Sequence, residues 1–249
     1  MDNIIQIRDL TFAYAAGDEP VLSDINIDIS SGEFVIIMGS SGSGKTTLLK
    51  MLKRNMIPAG RYSGRVYIYG KEADKLTDRE NAAGIGYVSQ DPDNQIVTDK
   101  VWHELAFGLE NLGMDNVTIR KKVAEMSEYF GITGWYDKEV SKLSGGQKQI
   151  LNLASVMVMQ PGILLLDEPT ANLDPLAAIR FLDVVKRINQ ELGVTVVMVE
   201  HNLEHIYADA DRIIAIDKGR VAANSSPKKA AADIIAAGSF FLEGFSVAA

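Results

Sequence analysis

Two patterns of hydrophobic and polar positions run along the chain and predict different kinds of strand. In residues 4–29, short apolar stretches alternate with polar breaks such as residues 16–20, which is typical of antiparallel strands joined by turns. Residues 65–70 predict one more strand of this kind. Four other stretches are continuously apolar, namely residues 34–38, 163–166, 195–199 and 213–216. Such runs indicate strands of a parallel sheet that helices cover on both faces.

Helical periodicity fills the regions between these runs. From Leu176 to Leu192, apolar residues recur every three or four positions, and Gly193 provides a natural stop. Residues 91–160 show helical spacing with little strand signal, which predicts an inserted helical subdomain. Ser226 and Pro227 form a cap and first-turn pair, which predicts a short Ala-rich helix after them.

Together these patterns predict an α/β fold in a single domain over residues 1–249. Residues 1–89 and 161–221 are expected to form the core, with an antiparallel β subdomain in its N-terminal part. Residues 90–160 are expected to form the helical subdomain, and residues 222–249 a C-terminal extension whose function the pattern does not indicate.

Composition narrows the class of protein. Hydrophobic residues make up 47% and charged residues 23% of the 249 positions, close to the average of folded domains. The net charge of -8 argues against nucleic acid as a partner, because phosphate backbones are bound by an excess of Lys and Arg. The sequence has no cysteine, which excludes disulfides and favours a reducing compartment. It shows neither a signal peptide nor an apolar run near the ~20 residues of a membrane-spanning helix, so other chains are expected to cross any membrane involved.

A Gly-rich segment follows the first continuous run and precedes a helical stretch. It matches the P-loop pattern with Gly39, Ser40, Ser41, Gly42, Ser43, Gly44, Lys45 and Thr46. Backbone N–H groups of such a loop turn inward around phosphates, and the helix that follows adds its dipole. We expect Lys45 to bridge the outer phosphates, Thr46 to reach Mg²⁺ and Thr47 to contact the nucleotide. A chance Gly/Ser-rich turn is the alternative, which the flanking strand and helix disfavour.

Polar side chains follow three of the predicted strands. One buried strand ends in Asp167 and Glu168, at the sheet edge where α/β proteins bind ligands. Asp167 is predicted to hold Mg²⁺, and Glu168 to orient and deprotonate an attacking water. His201 is expected to point toward a γ-phosphate, although a lone histidine is more often structural. Gln90 is predicted to ligate Mg²⁺ or position water, and by itself it would be a solvated strand end.

The segment 143–149, with the sequence LSGGQKQ, lies between the P-loop and Asp167. With the motifs in this order, the chain closely resembles ABC transporter ATPases over about residues 4–221. LSGGQ is the defining motif of that family, and a Ser-Gly-Gly turn that leads into a helix favours a bound anion. The resemblance implies that a second subunit, identical or paralogous, pairs with this one. The residues that would then close on ATP in the partner's P-loop are Ser144, Gly145, Gly146 and Gln147.

Other expectations come only from this resemblance. It implies a P-loop NTPase (RecA-like) core that binds ATP and Mg²⁺. Tyr14 would stack on adenine, whereas the residues alone indicate a half-buried strand aromatic. Residues 171–174 correspond to the D-loop of the family, in which Asp174 communicates between two sites. Ile150 departs from the Arg that many relatives carry after the signature, but no catalytic group is lost.

Residues 90–95 and 101–108 resemble those of a narrower group, the ATPases of energy-coupling-factor importers. Those proteins power uptake of vitamins, cobalt or nickel through a transmembrane coupling subunit and a substrate-binding membrane subunit, at the cytoplasmic face of the cell membrane. This stretch faces the coupling subunit there, so Asp91, Asp93 and Glu104 are expected to pair with basic groups of that partner. A solvated acidic loop explains the same residues equally well.

Two other functions fit part of the sequence. A soluble ABC ATPase without a transport role, such as an accessory factor for cofactor assembly, would carry the same motifs, and the match at residues 90–108 argues against it. A nucleotide-gated binding module without catalysis is disfavoured by Glu168 and His201.

Overall fold

The computed structural model describes residues 2–17, 19–201 and 205–236. The strands in this part are β1 (Asn3–Tyr14), β2 (Leu22–Ser30), β3 (Phe34–Met38), β4 (Gly60–Ile68), β5 (Lys71–Glu72), β6 (Ile85–Val88), β7 (Ile163–Asp167), β8 (Thr195–Val199), β9 (Arg212–Asp217) and β10 (Arg220–Ser225). The α-helices are α1 (Lys45–Met51), α2 (Asp78–Gly84), α3 (Val101–Asn111), α4 (Asn116–Tyr129), α5 (Gly145–Met157), α6 (Pro175–Leu192) and α7 (Pro227–Ala236).

The first sheet is antiparallel and has the strand order β2-β1-β4-β5. Ile5 and Ile7 of β1 are buried and alternate with more exposed residues, which explains the alternating pattern in the sequence. The antiparallel strands predicted in this segment are therefore present. β4 begins earlier than predicted and ends at Ile68, because Tyr69 and Gly70 have φ angles of 53° and 74° that turn the chain into β5.

The second sheet has the order β10-β9-β3-β8-β7-β6. Pairing is parallel from β9 to β6 and antiparallel between β10 and β9. Every residue of β3, β7 and β8 is buried, as the continuously apolar runs predicted. Because the C-terminal ends of parallel strands meet at one edge, the residues that follow β3, β6, β7 and β8 come together there.

Helices bury their apolar faces against this sheet. α3, α4 and α5 lie between β6 and β7 in the chain and share one hydrophobic cluster with α6. α6 begins after Asp174 and ends at Gly193, whose φ is 66°. Phe181 in its middle is fully buried, whereas Leu176 and Leu192 at its ends are 58% and 45% exposed. The apolar face of α6 is thus shorter than the sequence periodicity predicted.

The last described elements continue the core sheet beyond residue 221. β10 pairs with β9 from Arg220 to Ser225, so residues 222–225 belong to the sheet. α7 begins at Pro227 as predicted and packs on β9 and β10, and residues 237–249 lie outside the described part. Across the described ranges, the helices are too short or too polar to cross a bilayer.

Candidate active site

The loop between β3 and α1 depends on glycine. Gly39, Gly42 and Gly44 have φ angles of 152°, 75° and 104°, which other residues rarely adopt. A Cβ at Gly39 would lie 2.1 Å from the carbonyl oxygen of Ile216, and one at Gly44 would lie 2.9 Å from that of Val21. The loop can therefore bend tightly against its neighbours, and this geometry brings backbone N–H groups together for an anion.

Lys45 is buried at the start of α1, with 4% of its surface exposed. Its ammonium group donates to the carbonyl oxygens of Gly39 and Ser40, each at 2.9 Å. Burial lowers the pKa of Lys45, and the nearby carboxylates of Glu168 and Asp167 oppose that shift. Neutral backbone acceptors therefore hold this ammonium group inside its own loop, where phosphate oxygens would be stronger partners.

The serines of the loop differ in their surroundings. Ser40 and Ser41 are exposed, whereas Ser43 is 4% exposed. Within the described residues, the Ser43 hydroxyl has no hydrogen-bond partner. A buried hydroxyl without a partner is costly, so a phosphate oxygen in the loop would satisfy it.

The carboxylate of Asp167 lies at the end of β7 with both oxygens hydrogen-bonded. Thr46 Oγ1 donates to Oδ1 at 2.8 Å, and Tyr87 OH donates to Oδ2 at 2.7 Å. Hydroxyl and carboxylate oxygens are ligands that Mg²⁺ prefers, together with phosphate oxygens and water. Thr46 and Asp167 thus fit a nucleotide-bound magnesium ion. The described residues contain no group of three or more His, Cys, Asp or Glu that would hold a metal without a nucleotide.

Glu168 and His201 contact each other at the same sheet edge. Glu168 has a left-handed φ of 49°, a strained conformation that is concentrated at functional sites. Its N–H donates to the carbonyl oxygen of Val199 at 3.0 Å, which ties the loop after β7 to β8. Its Oε1 lies 2.8 Å from His201 Nε2. The structure therefore brings the predicted base and the predicted histidine together.

Glu200 holds the backbone next to this pair through hydrogen bonds, a role that the sequence analysis missed. The residue is 3% exposed, and its Oε1 accepts hydrogen bonds from the N–H and hydroxyl of Thr170 at 3.1 and 2.7 Å. Its Oε2 accepts from the N–H of His201 at 3.2 Å. Burial raises the pKa of Glu200, and the hydrogen bonds from Thr170 oppose this. A carboxylate directly after a continuously apolar strand was the available signal.

Tyr14 and Gln90 lie at the margin of the site. The Tyr14 hydroxyl is 2.8 Å from Thr47 Oγ1, and the residue remains 39% exposed. Gln90 is exposed, and its carbonyl oxygen lies 3.4 Å from Asn172 Nδ2. Within the described residues its side-chain amide makes no hydrogen bond. Its expected role as a ligand of Mg²⁺ or a group that positions water therefore stays a prediction.

The Ser-Gly-Gly turn begins α5 with a capping box. Ser144 Oγ accepts from the N–H of Gln147 at 3.3 Å, and Gln147 Oε1 accepts from the N–H of Ser144 at 2.9 Å. By helix geometry, the N–H groups of Gly145 and Gly146 lack acceptors within the helix. A Cβ at Gly146 would lie only 2.8 Å from that of Ala177 in α6, whereas one at Gly145 would meet open space. Gly146 thus permits close packing of α5 on α6.

Glu104 corrects one expectation. It was expected to pair with a basic group of a partner, but it is 5% exposed. Its Oε2 accepts hydrogen bonds from the N–H groups of Val97 and Thr98 at 3.1 and 2.9 Å. The expectation is wrong because this carboxylate is buried to satisfy the turn that precedes α3.

Three other acidic residues are engaged within the chain. Asp91 caps the 3-10 turn Pro92–Asn94, and Asp93 forms an ion pair with Lys148 of α5 at 2.6 Å. Asp174 caps α6 by accepting from the N–H of Ala177 at 2.9 Å. Asp93 is the more accessible member of its pair, with 64% of its side chain exposed.

A buried amide network, which the sequence analysis also missed, ties α5 to the sheet edge. Gln149 and Asn152 are fully buried. Gln149 Nε2 donates to the carbonyl oxygens of Ser89 and Pro169 at 3.1 and 2.9 Å, and Asn152 Nδ2 donates to Gln95 Oε1 at 3.2 Å. The sequence signal for this network was the presence of two amide residues, Gln149 and Asn152, at positions where the helix faces the core. The signature helix is thereby connected to the loops that follow β6 and β7.

A groove of about 880 Å³ runs beside β6, the edge strand of the core sheet. Its apolar lining includes Met56, Phe107, Leu112, Val156 and Met159. Charged residues at its margin are Lys50, Lys53, Asp78 and Arg79.

Side chains cover the outward backbone groups of β6 within this groove. Lys53 donates to the carbonyl oxygens of Asn81, at 3.0 Å, and Ile85. Gln95 Nε2 donates to the carbonyl oxygen of Tyr87 at 2.7 Å. Burial lowers the pKa of Lys53 to about 8.

A P-loop beside the Thr46–Asp167 pair and the Glu168–His201 pair indicates a P-loop nucleoside triphosphatase. The Ser-Gly-Gly turn at Ser144 points to one family within that class. The ABC transporter family model matches residues 22–171, and the chain belongs to this family. It is an ABC-type ATPase domain with the P-loop NTPase fold, and it resembles the ATPases of energy-coupling-factor importers.

Individual relatives agree with this assignment. A Bacillus cereus protein provisionally described as an ABC transporter ATP-binding protein is 46% identical over 92% of this chain, which spans only 41% of that relative's length. The energy-coupling factor transporter ATP-binding protein EcfA1 of Caldanaerobacter subterraneus is 39% identical over 91% of this chain and 82% of its own length.

Solved structures show the same fold. cbiO1 of Clostridium perfringens, part of the ABC transporter complex cbiONQ, has a TM-score of 0.84 and 33% identity over 93% of this chain and 92% of its own. The ATP-binding cassette MJ0796, in a dimeric post-hydrolysis state bound to ADP and Pi, has a TM-score of 0.77 and 28% identity over 90% of this chain and 98% of its own.

Proposed function

We propose that this chain hydrolyses ATP to power an energy-coupling-factor-type importer of a small nutrient, such as a vitamin or a cobalt or nickel ion. The contact of Glu168 with His201, at the sheet edge that also carries Thr46 and Asp167, is the observation that carries this proposal. The likeness to EcfA1 and to cbiO1 supports the transporter class.

The P-loop residues bind the triphosphate. Lys45 leaves the carbonyl oxygens of Gly39 and Ser40 and bonds the outer phosphates, which offer a stronger, charge-assisted partner. The buried Ser43 hydroxyl gains an acceptor in the same step. Tyr14 supplies an aromatic face for adenine beside Thr47, since part of its ring is exposed.

Glu168 prepares the attacking water. Bound Mg²⁺, held by Thr46 and Asp167, would neutralise charge on the phosphates. Glu168 accepts a proton from water as its oxygen attacks the γ-phosphorus and the bond to the bridging oxygen breaks. His201 Nε2 holds the carboxylate of Glu168 in the nucleotide-free chain. With ATP bound, the imidazole donates toward the γ-phosphate instead. Gln90, which follows β6, would ligate the metal or position the water.

A second ABC ATPase subunit completes each site. Ser144, Gly145, Gly146 and Gln147 close on a triphosphate that the partner subunit holds, because the open N–H groups of the turn favour a terminal phosphate. Asp174, at the cap of α6, transmits the state of one site to the other. Closure is driven by the extra affinity of ATP for the closed state.

The groove beside β6 receives a transmembrane coupling subunit, which in turn works with a substrate-binding membrane subunit. Its apolar floor and charged margin suit the apolar face of a partner helix. The chain would then act as a peripheral protein at the cytoplasmic face of the cell membrane.

Association of a Glu168→Gln variant tests the two-subunit site. This change removes the proton acceptor but keeps the shape of the side chain, so ATP should persist and the variant should dimerise at saturating Mg-ATP. Analytical ultracentrifugation with and without ATP measures the effect. A variant that stays monomeric with ATP and its natural partner present would contradict the proposal.

A pair of aspartate variants tests the groove. Phe107 lines it and is 42% exposed, whereas Val117 is 79% exposed on α4 and lies outside it. Phe107→Asp should release the chain from native membranes at least tenfold more than Val117→Asp, because a charge in an apolar contact is costly. Equal retention of both variants would rule out this groove as the membrane-partner site.

A further inference from the structure

Tyr87 reaches the Asp167 carboxylate from a strand that carries no other residue of the predicted site. It lies in the middle of β6 and is 8% exposed. Its hydroxyl donates to Asp167 Oδ2 at 2.7 Å, while Thr46 donates to the other oxygen at 2.8 Å. The two donors approach from different elements, so together they fix the plane of the carboxylate.

The backbone of Tyr87 is itself held firmly. β6 pairs in parallel with β7, where Tyr87 lies beside Leu165. On the other side, Gln95 Nε2 donates to the carbonyl oxygen of Tyr87 at 2.7 Å. A donor on a rigid strand can orient a metal-binding carboxylate, and partners of this kind commonly set metal affinity.

We propose that Tyr87 is a positioning residue that sets the divalent-cation affinity of the site by holding Asp167. This inference rests on the proposed role of Asp167 as a magnesium ligand. With both oxygens already bonded, Asp167 can meet a cation without first losing rotational freedom, and Thr46 remains beside it as the second ligand. Phenylalanine at position 87 would keep the ring and leave Oδ2 without its donor.

Tyr87 is also one of the residues that line the groove. A partner seated there would therefore touch the residue that holds Asp167. Tyr87 thus connects the groove lining to the carboxylate through one hydrogen bond. A shift of the Tyr87 ring would change its hydrogen bond to Asp167 and so the orientation of the carboxylate toward a cation.

The test measures Mn²⁺ binding to the ADP-bound chain by electron paramagnetic resonance of free Mn²⁺. Tyr87→Phe should weaken Mn²⁺ binding about tenfold, the scale on which such orienting partners act. In turnover assays the half-saturating Mg²⁺ concentration should rise similarly, while kcat at saturating Mg²⁺ changes less than about threefold. Tyr69→Phe is the matched control, since its hydroxyl donates to the carbonyl oxygen of Gly84 at 2.6 Å.

A second comparison separates positioning from general damage to the fold. If Tyr87 acts through Asp167, Tyr87→Phe should add no further loss of Mn²⁺ affinity to an Asp167→Asn variant. Independent losses that multiply in the double variant would overturn the proposal. So would an affinity for Mn²⁺ within twofold of the wild type in Tyr87→Phe. If the wild-type chain itself bound no Mn²⁺ with ADP, the proposed function would fail as well, so the two failures are distinguishable.

Discussion

Lys45 shows how a single residue can be poised for a ligand before the ligand arrives. Its ammonium group is buried, yet it donates to two neutral carbonyl oxygens of its own loop. Exchanging neutral acceptors for anionic phosphate oxygens adds attraction between opposite charges to each hydrogen bond. This added attraction exists only when a nucleotide is bound, so Lys45 stabilises the nucleotide-bound state of the loop over the free state.

Replacing Lys45 with alanine should abolish this added attraction. We expect ATP turnover to fall at least about 100-fold, because a charge at the transferring phosphoryl group contributes several kcal/mol to catalysis. Steady-state phosphate release measures the change. Lys121→Ala serves as the control, since the Lys121 side chain is 76% exposed on α4, and equal activity of the two variants would disprove the role of Lys45.

Lys53 leads to a prediction about pH. Its pKa is lowered from 10.5 to about 8 in the folded chain. Between these values the unfolded chain binds more protons than the folded chain, so the contribution of Lys53 to stability rises with pH. The wild type should therefore gain up to about 3 kcal/mol over Lys53→Met between pH 7.5 and pH 10.5. Urea unfolding at the two pH values measures this difference, and an unchanged difference would contradict the lowered pKa of Lys53.

At the residue scale, the sequence allowed prediction of the side chains that follow the sheet strands. Glu168 and His201 lie at one sheet edge as expected because parallel strands end there, and the structure adds their mutual contact. Their chemical roles stay predictions. Tyr87 and Gln149 were not predicted. Their polar atoms reach across the molecule from positions where the pattern records only a buried strand or helix face, and such contacts depend on packing.

The signature helix α5 and the unrelated helix α2 begin with the same type of capping box, which allows a controlled test. Ser144 with Gln147 and Thr77 with Glu80 form the same capping box at the starts of α5 and α2. Alanine at Ser144 or at Thr77 should cost about 1 kcal/mol of stability in either case. Only Ser144→Ala should also weaken the ATP-dependent association of Glu168→Gln, because only this hydroxyl is expected to meet the phosphate.

Thermal unfolding and sedimentation distinguish these effects. Equal weakening of association by Thr77→Ala and Ser144→Ala would show that stability alone explains the loss. Full association of Ser144→Ala would remove Ser144 from the predicted phosphate contacts.

Prediction of elements succeeded where one physical cause dominated. The continuously apolar runs gave β3, β7 and β8, because burial on both faces leaves no polar positions. The start of β4 was missed because residues 60–65 are exposed and show no apolar alternation. The pairing of β10 with β9 was missed as well, since a short edge strand carries a weak pattern.

At the scale of the whole molecule, the edge of the core sheet at β6 is kept from pairing. The carbonyl oxygen of Ile85 accepts from Lys53, that of Tyr87 accepts from Gln95, and the N–H of Ser89 donates to Gln95 Oε1 at 2.9 Å. An uncovered edge strand is a template for aggregation. Side chains from the turn after α1 and the loop before α3 therefore protect the sheet where the groove opens.

Removing one of these covers should make the chain aggregate. Gln95→Leu frees the carbonyl oxygen of Tyr87 and the N–H of Ser89, so light scattering should rise faster on incubation a few degrees below the unfolding midpoint. Gln190→Leu, at an exposed position of α6, is the control for added surface hydrophobicity. Similar scattering of the two variants would contradict a protective role for Gln95.

The covered edge also limits what can be recognised in the groove. A visiting segment would find the carbonyl oxygens of Ile85 and Tyr87 and the N–H of Ser89 already bonded, which disfavours its binding as an added strand. A partner in the groove would then be recognised by its shape and its side chains, both of which an α-helix can present. Lys53 and Gln95 would thus have two effects. They would limit self-association of the free chain, and they would favour a helical over an extended partner segment in the groove.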